Sequence, residues 1–102
     1  MLGVNGFLTI LPGFTKLPYD PVTDFSPVAT VASSQFVLVA HPSVPARDIK
    51  ALLALAKAQP ARLTFASTGS GTVNHVAGEL LNSMAGVKTT HVPYKGTGPM
   101  ML

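Results

Sequence analysis

At 102 residues the chain has room for one domain at most, burying about 60–65% of the surface it exposes when unfolded. Only 11% of its residues are charged, against roughly 25% in an ordinary soluble domain, while 47% are apolar, so part of its surface is expected to face another domain, subunit or further chain. The net charge of +3 is spread thinly, with no basic run interleaved with aromatics, which argues against a nucleic-acid partner; the absence of cysteine removes disulfides and thiolate metal sites.

The N-terminal stretch "MLGVNGFLTILPGFTKL" is apolar but contains no run of the length a membrane-crossing helix needs. It also lacks a basic first region and a small-residue cleavage site, so it does not read as a signal peptide. Residues 1–26, with the proline-punctuated "KLPYDPVTDFSP", read as an extended connector. Two β-type runs follow, residues 28–33 ("VATVAS") and 36–41 ("FVLVAH"). The second is nearly continuous in apolar residues, as a strand covered on both faces would be.

Asp48 then suits a helix N-cap, and Ile49, Leu52, Leu53 and Ala56 recur at i, i+3, i+4 and i+7, with Lys57 in the last turn and Pro60 as the stop. A strand is predicted over residues 62–67, followed by a small-residue loop and a second helix that presents Val73, Val76, Ala77, Leu80, Leu81 and Met84 on one face. Gly86 is its expected left-handed terminator. A further strand, residues 88–94, runs into the loop "KGTGP", where Pro99 suits the first position of a third helix. The order strand–helix–strand–helix–strand is that of an α/β parallel sheet with right-handed crossovers.

Chemistry concentrates in "FASTGSGTVNHVAGELL". Ligands of open parallel sheets sit outside the carboxyl ends of the strands, where both glycine loops lie. Free N–H groups and the positive end of a helix dipole favour an anion there. The familiar glycine motifs fail: Asn74 stands where a dinucleotide fingerprint needs glycine, no Gly-Lys precedes a Ser or Thr, and Thr68 replaces the first glycine of a nucleophile elbow. With Thr72 as N-cap, the position a capping box gives to Glu or Gln holds His75, and no acid occurs from Ala66 to Gly78. The vacancy suits a carboxylate brought by a ligand, met by amides from Gly69 to Thr72 and by the hydroxyls of Ser67, Ser70 or Thr72.

Blander readings stand beside this one. A Gly-Ser-Gly after a strand is as often only a tight turn, and a lone histidine is more commonly bonded to a backbone carbonyl. Met84, Met100 and Met101 read as core or interface. His41, His75 and His91 lie in three separate elements without paired-ligand spacing, so no metal site is expected. No nucleophile–base pair is legible, so neither catalysis nor a cofactor is expected.

The segments "KLPYDPVTDFSPVATVA", "VLVAHPSVPARDIKALLALAKAQPARLTFASTGSGTVNHVAGELLNSMAGV" and "THVPYKGTGP", in that order from Lys16 to Pro99, closely resemble the Bug family, the substrate-binding proteins of tripartite tricarboxylate transporters. Residues 1–12 lie outside the resemblance. It implies a periplasmic, two-lobed binding protein of the type II flytrap fold that closes on a small carboxylate and delivers it to membrane transporter subunits. Residues 27–102 would be an incomplete second lobe, a parallel βαβαβ unit, and residues 1–26 a connector with a remnant of a first lobe otherwise missing. Carried over by position, the ligand contacts fall on Ser67, Gly69, Ser70, Gly71, Thr72 and His75, with Thr97 in the second loop. Two other readings remain open: a phosphate- or nucleotide-binding α/β domain of an enzyme, and a degraded gene product that folds poorly.

Overall fold

A computed structural model describes Gly3 and residues 6–102. Met1, Leu2, Val4 and Asn5, part of the stretch tested above as a signal peptide, lie outside the described residues. The ordered elements are a turn of π-helix at Gly6–Ile10 running into a 3-10 turn at Leu11–Gly13, then helix α1 (Ile49–Ala58), strand β1 (Thr64–Ser67), helix α2 (Val73–Ala85), strand β2 (Thr90–Pro93) and a short helix α3 (Thr97–Met101).

Helix α1 starts where its cap places it: Asp48 is extended (φ −148°, ψ 171°) and its carboxylate accepts the Ala51 N–H at 2.8 Å. This satisfies one of the donors that a helix start leaves without an internal partner. Of the expected apolar face, Ala56 is buried and Leu52 and Leu53 are half-buried, while Ile49 stays exposed. Helix α2 ends at Gly86 in the left-handed conformation (φ 62°, ψ 40°), its N–H turned back to the carbonyls of Asn82 and Ser83. Helix α3 begins two residues before Pro99, which its early position permits because the first N–H groups of a helix have no internal acceptor.

β1 and β2 pair in parallel, Thr64 opposite Thr90, Phe65 opposite His91, Ala66 opposite Val92 and Ser67 opposite Pro93. The ladder extends past both strand ends through Thr90 N–H to Leu63 O (2.8 Å) and Tyr94 N–H to Ser67 O (2.9 Å). Of the face expected for helix α2, Val73, Val76 and Leu81 are half-buried, while Ala77, Leu80 and Met84 turn to solvent. Leu80 and Met84 are 56% and 79% exposed. The side toward the sheet carries His75, which stacks on His91, Gly78, which lies on the Phe65 ring, and Asn82, which accepts the Thr89 hydroxyl at 2.8 Å. Ring stacking and the missing Cβ of Gly78 bring the helix down on that side. An added Cβ at Gly78 would lie 2.7 Å from Phe65 Cδ2 and Cζ.

The two β-type runs upstream do not form strands. Residues 28–33 and 36–41 take no regular secondary structure and are exposed throughout, with Val28 at 97% and Val37 at 81% exposure. The expected three-strand unit is therefore a two-stranded sheet among the described residues. A strand needs a neighbour for its N–H and C=O groups and, when apolar on both sides, a layer over each face. Among the described residues nothing supplies either, so the backbone is left to water. The radius of gyration records it: 16.1 Å, against about 13 Å for a compact chain of this length. The connector, expected extended over residues 1–26, is instead helical at Gly6–Ile10 and Leu11–Gly13. Beyond that it is turn-punctuated, with Asp20 accepting the N–H groups of Val22 (2.8 Å) and Thr23 (3.2 Å), which hold its carboxyl below the usual range, and Tyr19 packing edge-on against Phe25.

Candidate functional site

The parallel pairing brings the two glycine loops side by side at the carboxyl end of the sheet. The Gly96 N–H donates to Thr68 O at 3.2 Å, and Gly69 passes so near the Tyr94 carbonyl that a Cβ would sit 3.5 Å from it. Gly69 (φ 143°) and Gly71 (φ 76°) occupy backbone conformations that side chains resist, so these two glycines set the shape of the turn.

Within the loop the amides are mostly occupied. Ser67, fully buried at the end of β1, holds both polar groups of Gly69: its hydroxyl accepts the Gly69 N–H at 3.1 Å and donates to the Gly69 carbonyl at 3.0 Å. Thr72 is the extended residue before α2, but its hydroxyl donates back to Gly69 O at 2.7 Å instead of capping the helix. His75, at the third helical position, reaches back past the N-cap: its Nδ1 accepts the Gly71 N–H at 3.1 Å, which requires an unprotonated Nδ1. Of the expected amide donors, Gly69, Gly71 and Thr72 thus have internal acceptors. Ser70, exposed at the tip, hydrogen-bonds to no described residue through its amide or its hydroxyl. Thr97 opens α3 on the neighbouring loop and is exposed.

Two features were illegible in the sequence. Residues of the N-terminal segment lie over the loop: Leu11 Cδ1 and Phe14 Cγ stand 3.6 Å from where a Gly71 Cβ would be, and the Phe14 ring leans on His75 with centroids 5.8 Å apart. Second, His91 joins the site from β2. Its Nε2 lies 2.6 Å from Ser67 Oγ, and its ring is sandwiched between His75 (3.9 Å, 12°) and Phe65 (4.9 Å, 28°). The register of Phe65 against His91 was the signal that could have found it, and strand pairing is not written in either strand alone. Burial, followed by the neighbouring His75, pushes the His91 pKa below its usual value, with Glu79 opposing. Ser67 and His91 make a hydroxyl–imidazole pair that the sequence reading did not anticipate. The Ser67 hydroxyl has no exposed surface and three partners already, so the geometry directs it to holding the loop. No cluster of three metal-ligating side chains occurs among the described residues.

The fold and the loops define a parallel α/β unit whose two strand-to-helix loops converge at the carboxyl ends of its strands. Matches to known proteins give that architecture a family. The chain belongs to the tripartite tricarboxylate transporter receptor family, which it matches over residues 1–102. The match includes residues 1–12, which the sequence resemblance had left out; that short apolar stretch carries no distinctive motif. Among curated relatives, the chain is 42% identical over 86 residues to the UPF0065 protein of the tcbD–tcbE intergenic region of Pseudomonas sp. strain P51, covering 84% of this chain and 26% of that protein. It is 38% identical over 91 residues to the UPF0065 protein of the gbd 5′ region of Cupriavidus necator (89% and 28%), and 33% identical over 95 residues to Protein BugT of Bordetella pertussis (93% and 28%). The chain spans about a quarter to a third of the length of the curated relatives it matches. The family is one of transport receptors, which in general engage a small-molecule ligand and transporter partners. No helix among the described residues is long and apolar enough to cross a membrane.

Proposed function

We propose that this chain carries one wall of the ligand site of a periplasmic receptor for a small carboxylate, with residues 27–102 as part of a second lobe and residues 1–26 as its connector. The observation that carries the reading is the polar loop at the carboxyl end of paired parallel strands, leading into a helix whose first turn contains no acid. The Ser70 amide and hydroxyl are the groups offered first. Gly71 joins if a carboxylate oxygen replaces His75 Nδ1 as acceptor of its N–H. Ser67, Gly69 and Thr72 shape the loop, and Thr97 approaches from its neighbour. Transporter subunits in the membrane are the partners that family membership supports.

The test is a titration of citrate, glutamate and inorganic phosphate against the full chain, followed by amide resonances. Citrate is expected to move Ser70 and Gly71 with a Kd of ~1 mM, about −4 kcal/mol, because two or three charge-assisted hydrogen bonds little exceed the cost of immobilising a ligand. Preference for phosphate over both carboxylates would favour a phosphate-binding domain instead. Unmoved loop resonances with all three would leave the loop a structural turn.

A further inference from the structure

We infer that His91 is a positioning residue for the glycine loop: through the buried Ser67 hydroxyl it sets the hydrogen bonding of Gly69 and makes it depend on whether the imidazole carries a proton at Nε2. The Ser67 oxygen has one proton and two lone pairs, and three groups surround it: the Gly69 N–H (3.1 Å), the Gly69 carbonyl (3.0 Å) and His91 Nε2 (2.6 Å). The Gly69 N–H always donates. When Nε2 carries a proton, that N–H also donates, both lone pairs are taken, and the hydroxyl proton must point at the Gly69 carbonyl. When Nε2 is bare, the hydroxyl proton turns to the imidazole and the Gly69 carbonyl keeps only its bonds from Thr72, at 2.7 Å from the hydroxyl and 3.4 Å from the amide. The hydroxyl is a rotor between two settings, and the imidazolium permits only one of them.

The surroundings favour such a device. Ser67 is fully buried, so water does not compete for its oxygen. The His91 ring cannot swing away, because Phe65 and His75 stack on its two faces. The titratable groups facing His91 are His75, whose charge would oppose a second proton, and Glu79, which would attract one; both come from α2, and β1 presents only Phe65 and Ser67. Gly69 sits at φ 143°, a conformation kept by these bonds and not by side-chain packing of its own. For the consequence that acidification tightens the turn preceding Ser70, the inference rests on the carboxylate reading of the site; the relay itself does not.

The test therefore uses the full chain without ligand. The Gly69 amide 1H–15N resonance and the ring resonances of both histidines are followed from pH 4.5 to 8. Gly69 is expected to shift with one inflection at the pH where the His91 ring titrates. His91→Gln, whose side-chain amide can donate where Nε2 does, should hold Gly69 near its low-pH position and abolish the inflection. His91→Phe keeps the stack but offers the Ser67 hydroxyl no acceptor, so its proton stays on the Gly69 carbonyl, and Gly69 should sit near its low-pH position with no inflection. In His75→Gln the inflection should persist, moved to higher pH. Persistence of the inflection in His91→Gln would assign it to His75 and overturn the inference. So would a Gly69 resonance that ignores His91 titration, or one unaffected by Ser67→Ala. Failure of citrate to bind would defeat the carboxylate reading while leaving these results standing.

Discussion

Residues 36–41 and residues 64–67 are both short runs of strand-forming residues, and they end in different states. The first, "FVLVAH", is the more apolar and stays outside any strand, with Leu38 at 59% and Val39 at 73% exposure. The second, "TFAS", is the poorer strand by composition, yet it pairs in register with Thr90–Pro93 under α2. β-Propensity describes how well a side chain fits a pleated, half-covered surface, so it has no effect until a neighbouring strand and a covering helix exist. β1 has both within one short crossover. The upstream runs have neither among the described residues.

The comparison can be broken from its packed side. Gly78→Ala places a methyl group into the Phe65 ring beneath α2, and should cost about 1–3 kcal/mol as other overpacked sites do. Thermal unfolding followed by far-ultraviolet circular dichroism measures it, and an unchanged Tm would mean that α2 does not rest on β1 as described. Gly71→Ala should cost about 1–2 kcal/mol, because the left-handed backbone crowds a Cβ. A Cβ there would make ordinary contact with Leu11 and Phe14 at 3.6 Å, so the loss should come from φ and not from collision. Gly71→Asn, better suited to positive φ, should recover part of it.

Removing the α1 cap by Asp48→Ala should cost about 1 kcal/mol, read as the same change in unfolding free energy, with Asp48→Asn retaining most of the stability. A smaller effect is expected from pH. His91 has its folded pKa below the ordinary 6.5, so the unfolded chain takes up the proton first. The stabilising contribution is complete above pH 6.5 and is lost as pH falls through the folded value. Tm should therefore decline between pH 7 and 5, and less steeply in His91→Gln. On the other side of the comparison, Val37→Ala should change stability by less than about 0.5 kcal/mol, the range of surface substitutions without partners. Hydrogen exchange sharpens this: the Thr90 and Tyr94 amides, bonded to Leu63 and Ser67, should exchange far more slowly than those of Val37 and Val39.

Local chemistry was legible in the sequence because its causes lie within a few residues. Asp48 caps its own helix, Gly86 ends another through a φ that suits glycine, and the glycine loop lies between a strand and a helix because its neighbours dictate both. The family resemblance likewise rested on motifs in chain order. What the tertiary structure decided depends on partners distant in sequence. Strand pairing set Phe65 beside His91, and the descent of α2 on Gly78 stacked His75 over them, turning three unrelated residues into one cluster. It also showed that the helix start without an acid is not bare, since His75 accepts the Gly71 N–H and, among the expected amides from Gly69 to Thr72, leaves Ser70 open. The upstream runs make the same point in reverse: composition gave them a preference for strand, and only a paired neighbour, absent among the described residues, can convert that preference into a sheet.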